Sequence, residues 1–357
     1  LKTTTSTVLG DLYAKGDARR DAAFSIYYMG VNLGGMLGPL ATSALWGWQG
    51  FHWGFGLAAI GMAVGLIQYL AMRKHTTTAA SSAPGNPLTK REGRTWIIIF
   101  AVAILVVVAA VMLGGLTAEN LSDVVVVLIV IASVALFTVI ISSRRVSPVE
   151  RKQVISFIPL FLASAVFWSL FQQQFTVLAI YADERLNRTL FGWEMPPSMV
   201  NSLNPIFIII FAGLFAAMWV KLGSRQPSTP VKFALGTAVM GIAFLGFIPF
   251  AGSENGTVPL IAFAGILLLF TVAELFLSPV GQSLATKLAP RAFHSQMVAL
   301  FFLSISLGSA ASGSLATLYS AENEANYFLV IGLVSIAVGA VLFLVRKPIL
   351  RLMGEVR

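Results

Sequence analysis

Glu274 sits in the string ILLLFTVAELFLSPVG, about midway between Pro259 and Lys287, whereas the other acidic residues, of fifteen in all, lie in loops or close to helix ends. It reads as the only buried carboxylate. A charge at the centre of a hydrocarbon layer costs about 3 kcal/mol even on lenient insertion scales, so such a group faces a cavity or a partner and is a candidate to carry a proton. The plainer alternative is a structural carboxylate bonded to a neighbouring helix. Ser278 lies one turn on and shares the face, and Pro279 interrupts the backbone ladder just beyond it. Lys2 precedes Asp11 by about 13 Å of helix rise, which sets it near the same depth if the chain opens inside a helix. Its alternative is an ordinary snorkelling lysine. An acid and an amine so placed on distant segments can grip the two ends of a zwitterion.

Other polar groups recur at one-turn spacing inside apolar runs. In FSIYYMGVNLGGMLGPL, Tyr28 and Asn32 share a helix face, either lining a cavity or bonding between helices. Gly30, Gly34 and Gly38 in the same string form a small-residue ladder, read as helix packing. In FWSLFQQQFTVL, Trp168, Gln172 and Thr176 share a face, and consecutive glutamines inside a span need water or partners. Asn204 precedes Pro205 in SLNPIFIII, which sets an amide beside a missing backbone hydrogen bond, either as a cavity group or as local helix repair. Metal and thiol chemistry have no candidates, because there is no Cys and His52, His75 and His294 stand apart at predicted helix edges. No Gly-rich phosphate loop, Ser/His/Asp set, paired intramembrane carboxylates or HExxH string occurs, so neither an enzyme nor a cofactor is expected.

These residues are carried by a chain of 357 residues that is 57% hydrophobic and 11% charged, against about a quarter charged in a soluble domain. It reads as an integral membrane protein with room for about ten spans. Windows nearly free of charge fall at 22–43, 53–72, 96–116, 124–143, 154–181, 199–220, 233–251, 258–286, 296–319 and 327–345. Each can cross ~30 Å of hydrocarbon as a helix, and none shows the strict alternation of a barrel strand. Lys and Arg sort by side. Of 24 in all, only Arg185 and Arg188 fall in one set of loops and Lys2 lies within the first helix; the others fall in the opposite set, which places that side and the C-terminus in the cytoplasm. The net charge of +9 is thus topology, with lipid and not nucleic acid as the surroundings. HTTTAASSAPGNPLTKREGR, from His75 to Arg94, reads as a flexible linker between bundles. The windows at 96–116 and 124–143 hold almost no polar group and are expected to face lipid.

Taken in order, these segments resemble the proton-dependent oligopeptide transporter family of the major facilitator superfamily. FSIYYMGVNLGGMLGPL, following GDLYAKGDARRDAA, is similar to the family's second signature on its fifth helix. LKTTTSTVLGDLY resembles the end of the fourth helix, FWSLFQQQFTVLAIYAD the seventh, SLNPIFIIIFA the eighth and ELFLSPVG the tenth. The resemblance covers essentially the whole chain and implies an all-α polytopic membrane protein with a two-bundle architecture. It divides the chain into 1–72, the remainder of an N-terminal bundle; 73–95, a cytoplasmic linker; 96–143, two extra lipid-facing helices; and 144–357, a six-helix C-terminal bundle.

The same resemblance implies a monomeric importer of di- and tripeptides in the cytoplasmic membrane, driven by the proton gradient through alternating access and needing no cofactor. Residue by residue, Lys2 resembles the lysine on the peptide's carboxylate side, Tyr28 and Asn32 the fifth-helix cavity pair, and Asn204 and Glu274 the residues holding the peptide's amino end. Trp168, Gln172 and Ser278 complete the expected substrate-binding set. Two departures stand out. The family's ExxERF signature and its first three helices are absent, so the chain is expected to be an incomplete piece that would not transport alone. Gln172 stands where many members carry a glutamate, and Phe301 stands near a tryptophan position. Glutamine cannot titrate, which leaves Glu274, or residues upstream of Leu1, to carry protons. The alternatives are a transporter of the same fold for another small zwitterion or carboxylate, and a non-transporting membrane sensor or scaffold.

Overall fold

A computed structural model describes residues 19–76, 89–190 and 192–354. The chain divides into two compact units, Leu1–Asn120 and Leu121–Arg357. Lys2 lies outside the described residues, as does 77–88 of the stretch from His75 to Arg94.

The first unit contains α1 (Arg19–Gln49), α2 (Phe51–Thr76) and α3 (Lys90–Met112). Gly50 turns the chain between α1 and α2 with φ of 95°, a left-handed conformation that side chains disfavour. The two helices then close at Gly54, where an added Cβ would lie 2.8 Å from the Thr42 carbonyl oxygen. The ladder Gly30, Gly34 and Gly38 was expected to make such contacts, but a Cβ at any of them meets nothing within 4 Å among the described residues. The expected linker is also shorter than 73–95. α2 runs on to Thr76, and α3 starts at Lys90 because Thr89 and Glu92 form a capping box: Thr89 N donates to Glu92 Oε2 at 2.8 Å and Glu92 N donates to Thr89 Oγ1 at 3.3 Å. The basic string KREGR thus opens a helix. α3 buries none of its residues.

The second unit begins with α4 (Leu121–Ser142) and α5 (Pro148–Phe171), followed by a 3-10 turn (Gln172–Phe175) and α6 (Val177–Glu184). Beyond a second 3-10 segment (Pro197–Ser202) come α7 (Leu203–Leu222), α8 (Thr229–Leu245), α9 (Leu260–Lys287), α10 (His294–Ala316), α11 (Glu324–Leu344) and the short α12 (Arg346–Met353). Extended pieces of two residues each close the ends: β1 (Leu186–Asn187) pairs in parallel with β4 (Val258–Pro259), and β2 (Thr189–Leu190) is antiparallel to β3 (Trp193–Glu194). The pair at 96–143 does not form a separate body, since α3 falls in the first unit while α4 falls in the second. There α4 buries Ser133, Phe137 and Ile140 and packs on α10 and α5. Most of its other apolar residues, among them Val127, Leu128, Ile131 and Val134, are exposed.

Among the described residues nine helices are long and apolar enough to cross a membrane. They cover every expected window except 22–43, which lies in the less apolar α1. Packing in the second unit follows two devices. Aromatic rings fill its centre, with Phe247 stacked on Phe328 at 4.8 Å between centroids and Tyr181 edge-on to Phe247 at 5.1 Å. Small residues let helices touch backbone to backbone, as where α8 meets α11: a Cβ on Gly241 would lie 2.4 Å from the Gly332 carbonyl oxygen.

Candidate functional site

Glu274 is the fifteenth residue of α9, which has 28, so it stands about 20 Å from either end of the helix. Its side chain is half-buried. Facing it is Asn204, in the first turn of α7, whose amide Nδ2 donates to Glu274 Oε2 at 3.3 Å and to Thr271 Oγ1 at 3.1 Å. Thr271 is fully buried one turn before Glu274 and donates its own hydroxyl to the Leu267 carbonyl at 3.1 Å. The result is an amide that spans two helices and holds a mid-helix carboxylate. Pro205 does not break a helix here. It lies in the opening turn of α7, where a backbone N–H would have no partner within the helix, and the Asn204 side chain bonds α9 in place of repairing its own ladder. Thr271 went unnoticed in the sequence, although its place three residues before Glu274 puts it on the same face. Ser278 lies half-buried one turn further along, and Pro279 sits within a helix that continues past it.

A second polar set lies along the contact of α5 with α10. Gln172 Nε2 donates to Ser309 Oγ at 2.8 Å, Gln173 Nε2 to the Ser312 carbonyl at 3.3 Å, and the Ser164 and Ser304 hydroxyls meet at 2.8 Å. The expected common face of Trp168, Gln172 and Thr176 is not continuous. The backbone tightens to a 3-10 turn at Gln172–Phe175, which shifts the register, and the Thr176 hydroxyl turns back to Gln173 Oε1 at 3.0 Å. Trp168 is buried against Phe167 and Phe171, and its Nε1 has no hydrogen-bond partner among the described residues. Its approach to α10 requires Gly308, where a Cβ would fall 2.5 Å from Trp168 Cβ. Phe301 is likewise buried, with its ring where a Cβ on Gly281 would lie. The serines of SISLGSAASGS on α10 were the available signal for this seam.

Glu274 is not the only buried carboxylate. Glu324, the first residue of α11, is 1% exposed, although it is one of the acids that the sequence places in loops or close to helix ends. It accepts the Tyr319 hydroxyl at 2.7 Å and the Gly252 N–H at 2.8 Å, and faces Arg185 Nε at 3.6 Å. Arg185 Nη1 also donates to the Ser253 carbonyl at 2.8 Å and to Asn255 Oδ1 at 2.9 Å. Burial first, and the bond to Glu324 second, push the Tyr319 phenol well above its ordinary range, so it keeps the proton it donates. Arg188 is held by Asp183 at 3.1 Å and Glu194 at 3.2 Å. The two arginines that broke the charge rule were the clue, since a cation on the sparse side needs an acid beside it.

The sequence profile of the POT family matches residues 1–330. The chain belongs to the POT family. It is 42% identical over 359 residues to "Uncharacterized transporter YclF" of Bacillus subtilis (strain 168), covering 100% of this chain and 73% of the relative. To the "Di-/tripeptide transporter" of Lactococcus lactis subsp. cremoris it is 36% identical over 369 residues, covering 100% and 74%. The crystal structure of a peptide transporter POT in complex with sulfate superposes with a TM-score of 0.91 at 43% identity, covering 99% of this chain and 73% of that one. The fold is therefore that of the POT peptide transporters, as the resemblance implied.

Within this POT-family chain the expected site residues fall into groups. Asn204 and Glu274 meet directly. Gln172 and Trp168 belong to the contact of α5 with α10, and Ser278 follows Glu274 on α9. Tyr28 and Asn32 both lie on α1, with Asn32 half-buried.

Proposed function

We propose that the protein to which this POT-family chain belongs is a secondary active transporter that imports di- and tripeptides together with protons by alternating access. The observation that carries this is the Asn204–Glu274 bond at mid-helix depth, an acid and an amide presented together where a peptide's ammonium group needs both charge and acceptors. Lys2 is the proposed residue for the peptide carboxylate, and Tyr28, Asn32, Trp168, Gln172 and Ser278 are the further residues proposed to contact the substrate. Glu274 is the proposed proton carrier, since Gln172 does not titrate. The proton gradient takes the place of a cofactor. One charge moving through 100 mV releases about 2.3 kcal/mol, enough for roughly 50-fold accumulation. The crowded basic loops support an orientation with the C-terminus in the cytoplasm, and a single copy is the proposed working unit.

The experiment is uptake of a labelled dipeptide into proteoliposomes under an imposed pH gradient. Glu274→Gln keeps the shape and removes the titration, so gradient-driven accumulation is expected to vanish while exchange of peptide down its own gradient persists. Unchanged accumulation in the variant refutes the role of Glu274. Competition by single amino acids as strong as by dipeptides refutes the peptide assignment and leaves a small-zwitterion carrier of the same fold.

A further inference from the structure

On the basic side of the second unit a cavity of about 1060 Å³ opens between the end of α7, the start of α8, the end of α9 and α12. Three cations line it, Lys232, Lys287 and Arg351, with no carboxylate among its described lining residues. The positive-inside rule places basic residues near this membrane surface, but it does not call for three of them around one concavity. Lys232 is held by neutral partners: its Nζ donates to Gln226 Oε1 at 2.8 Å and lies 4.2 Å from the centre of the Trp219 ring. That leaves further N–H donors on the ammonium, and no carboxylate pairs with it among the described residues. Ser228 and Ser283 line the same space. Ser228 stands at the N-cap of α8, yet its side chain caps no backbone N–H there. The positive end of the α8 dipole thus meets the cavity beside a serine that does not cap it.

The remaining wall is apolar, including Leu284 and Leu350. α12 buries Ile349 and Met353 against the unit and turns Lys347 and Arg351 outward, the arrangement of a helix lying along a membrane interface. Three cations, hydroxyl donors and an apolar flank at headgroup depth match a phosphate group attached to a hydrocarbon body. We propose that this cavity is a binding site for a phosphate group, carried by an anionic phospholipid of the adjoining leaflet or by a soluble phosphate, separate from the Asn204–Glu274 site and independent of what that site transports.

The test titrates the purified full chain in detergent with short-chain phosphatidylglycerol and, in a second arm, with inorganic phosphate, counting bound ligand by native mass spectrometry. Lys287 and Arg351 are exposed, so Lys287→Gln and Arg351→Gln should leave the melting temperature unchanged. Each is expected to weaken phosphatidylglycerol binding about five-fold, and the two together about 25-fold. Lys347→Gln, on α12 but not lining the cavity, should leave it unchanged. Inorganic phosphate that competes at millimolar concentration, with the same dependence on Lys287 and Arg351, supports the site with a soluble source; failure to compete supports it with the lipid source. Equal weakening by Lys347→Gln, or none by Lys287→Gln and Arg351→Gln, overturns the proposal in favour of diffuse surface charge.

Discussion

Replacing Arg185 by alanine should be among the most damaging single changes in the second unit. Glu324 is 1% exposed and would keep two donors, Tyr319 at 2.7 Å and Gly252 at 2.8 Å, but lose the cation at 3.6 Å. Removing one member of a buried ion pair costs about 3–5 kcal/mol, because the other charge stays out of water. The lower end applies here. The Arg185 Nε makes no hydrogen bond among the described residues, its side chain is 12% exposed, and the two remaining donors still satisfy part of the carboxylate's need. A loss of about 3 kcal/mol lowers the melting temperature by about 6–12 °C for a unit of this size. Melts of the detergent-solubilised protein at pH 7, followed by tryptophan fluorescence, read this directly. A companion double variant, Arg185→Leu with Glu324→Met, removes both charges and should recover most of the loss. Melting of Arg185→Ala within about 2 °C of the parent, or a double variant no better than the single one, would show that Glu324 does not depend on its cation.

Two further outcomes follow from the contacts. Gly241→Ala forces a methyl group to 2.4 Å from the Gly332 carbonyl oxygen, so α8 and α11 must separate; overpacking of this kind costs about 1–3 kcal/mol and should lower the melting temperature by several degrees in the same assay. Asn204→Ala removes the donor that bridges Thr271 and Glu274. A hydrogen bond to a charged group contributes about 1.5–3 kcal/mol, so under the proposed peptide site KM should rise about ten-fold or more with a smaller change in maximal rate, measured by initial uptake in proteoliposomes. A purely structural amide would instead lower the melting temperature and leave KM alone.

The helical spans could be read almost to their ends from the sequence, and the exceptions have local causes. The linker was read too long because KREGR looks like a loop in composition, while the capping box of Thr89 and Glu92 gives its backbone N–H groups a reason to start a helix. The interruption at Gln172–Phe175 is invisible to hydropathy, which averages over a window longer than the turn. The seam of Ser304, Ser309 and Ser312 was overlooked because serine inside a span carries little hydropathy signal, yet each of these serines takes part in a bond from α5 or the turn after it to α10.

What the sequence determined alone is the membrane character of the chain, the sorting of its basic residues into one set of loops, and which polar residues stand where hydrocarbon should be. Transfer of a segment into lipid depends on its own composition, so it can be summed along the chain without knowing any neighbour. The tertiary structure decided the partners. Asn204 reaches Glu274 across 70 positions, Gln172 reaches Ser309 across 137, and Glu324 leaves water only because Arg185, Tyr319 and Gly252 come together around it. A buried polar group is made tolerable by the helix that crosses it, and which helix crosses is settled by packing between segments that share no local pattern.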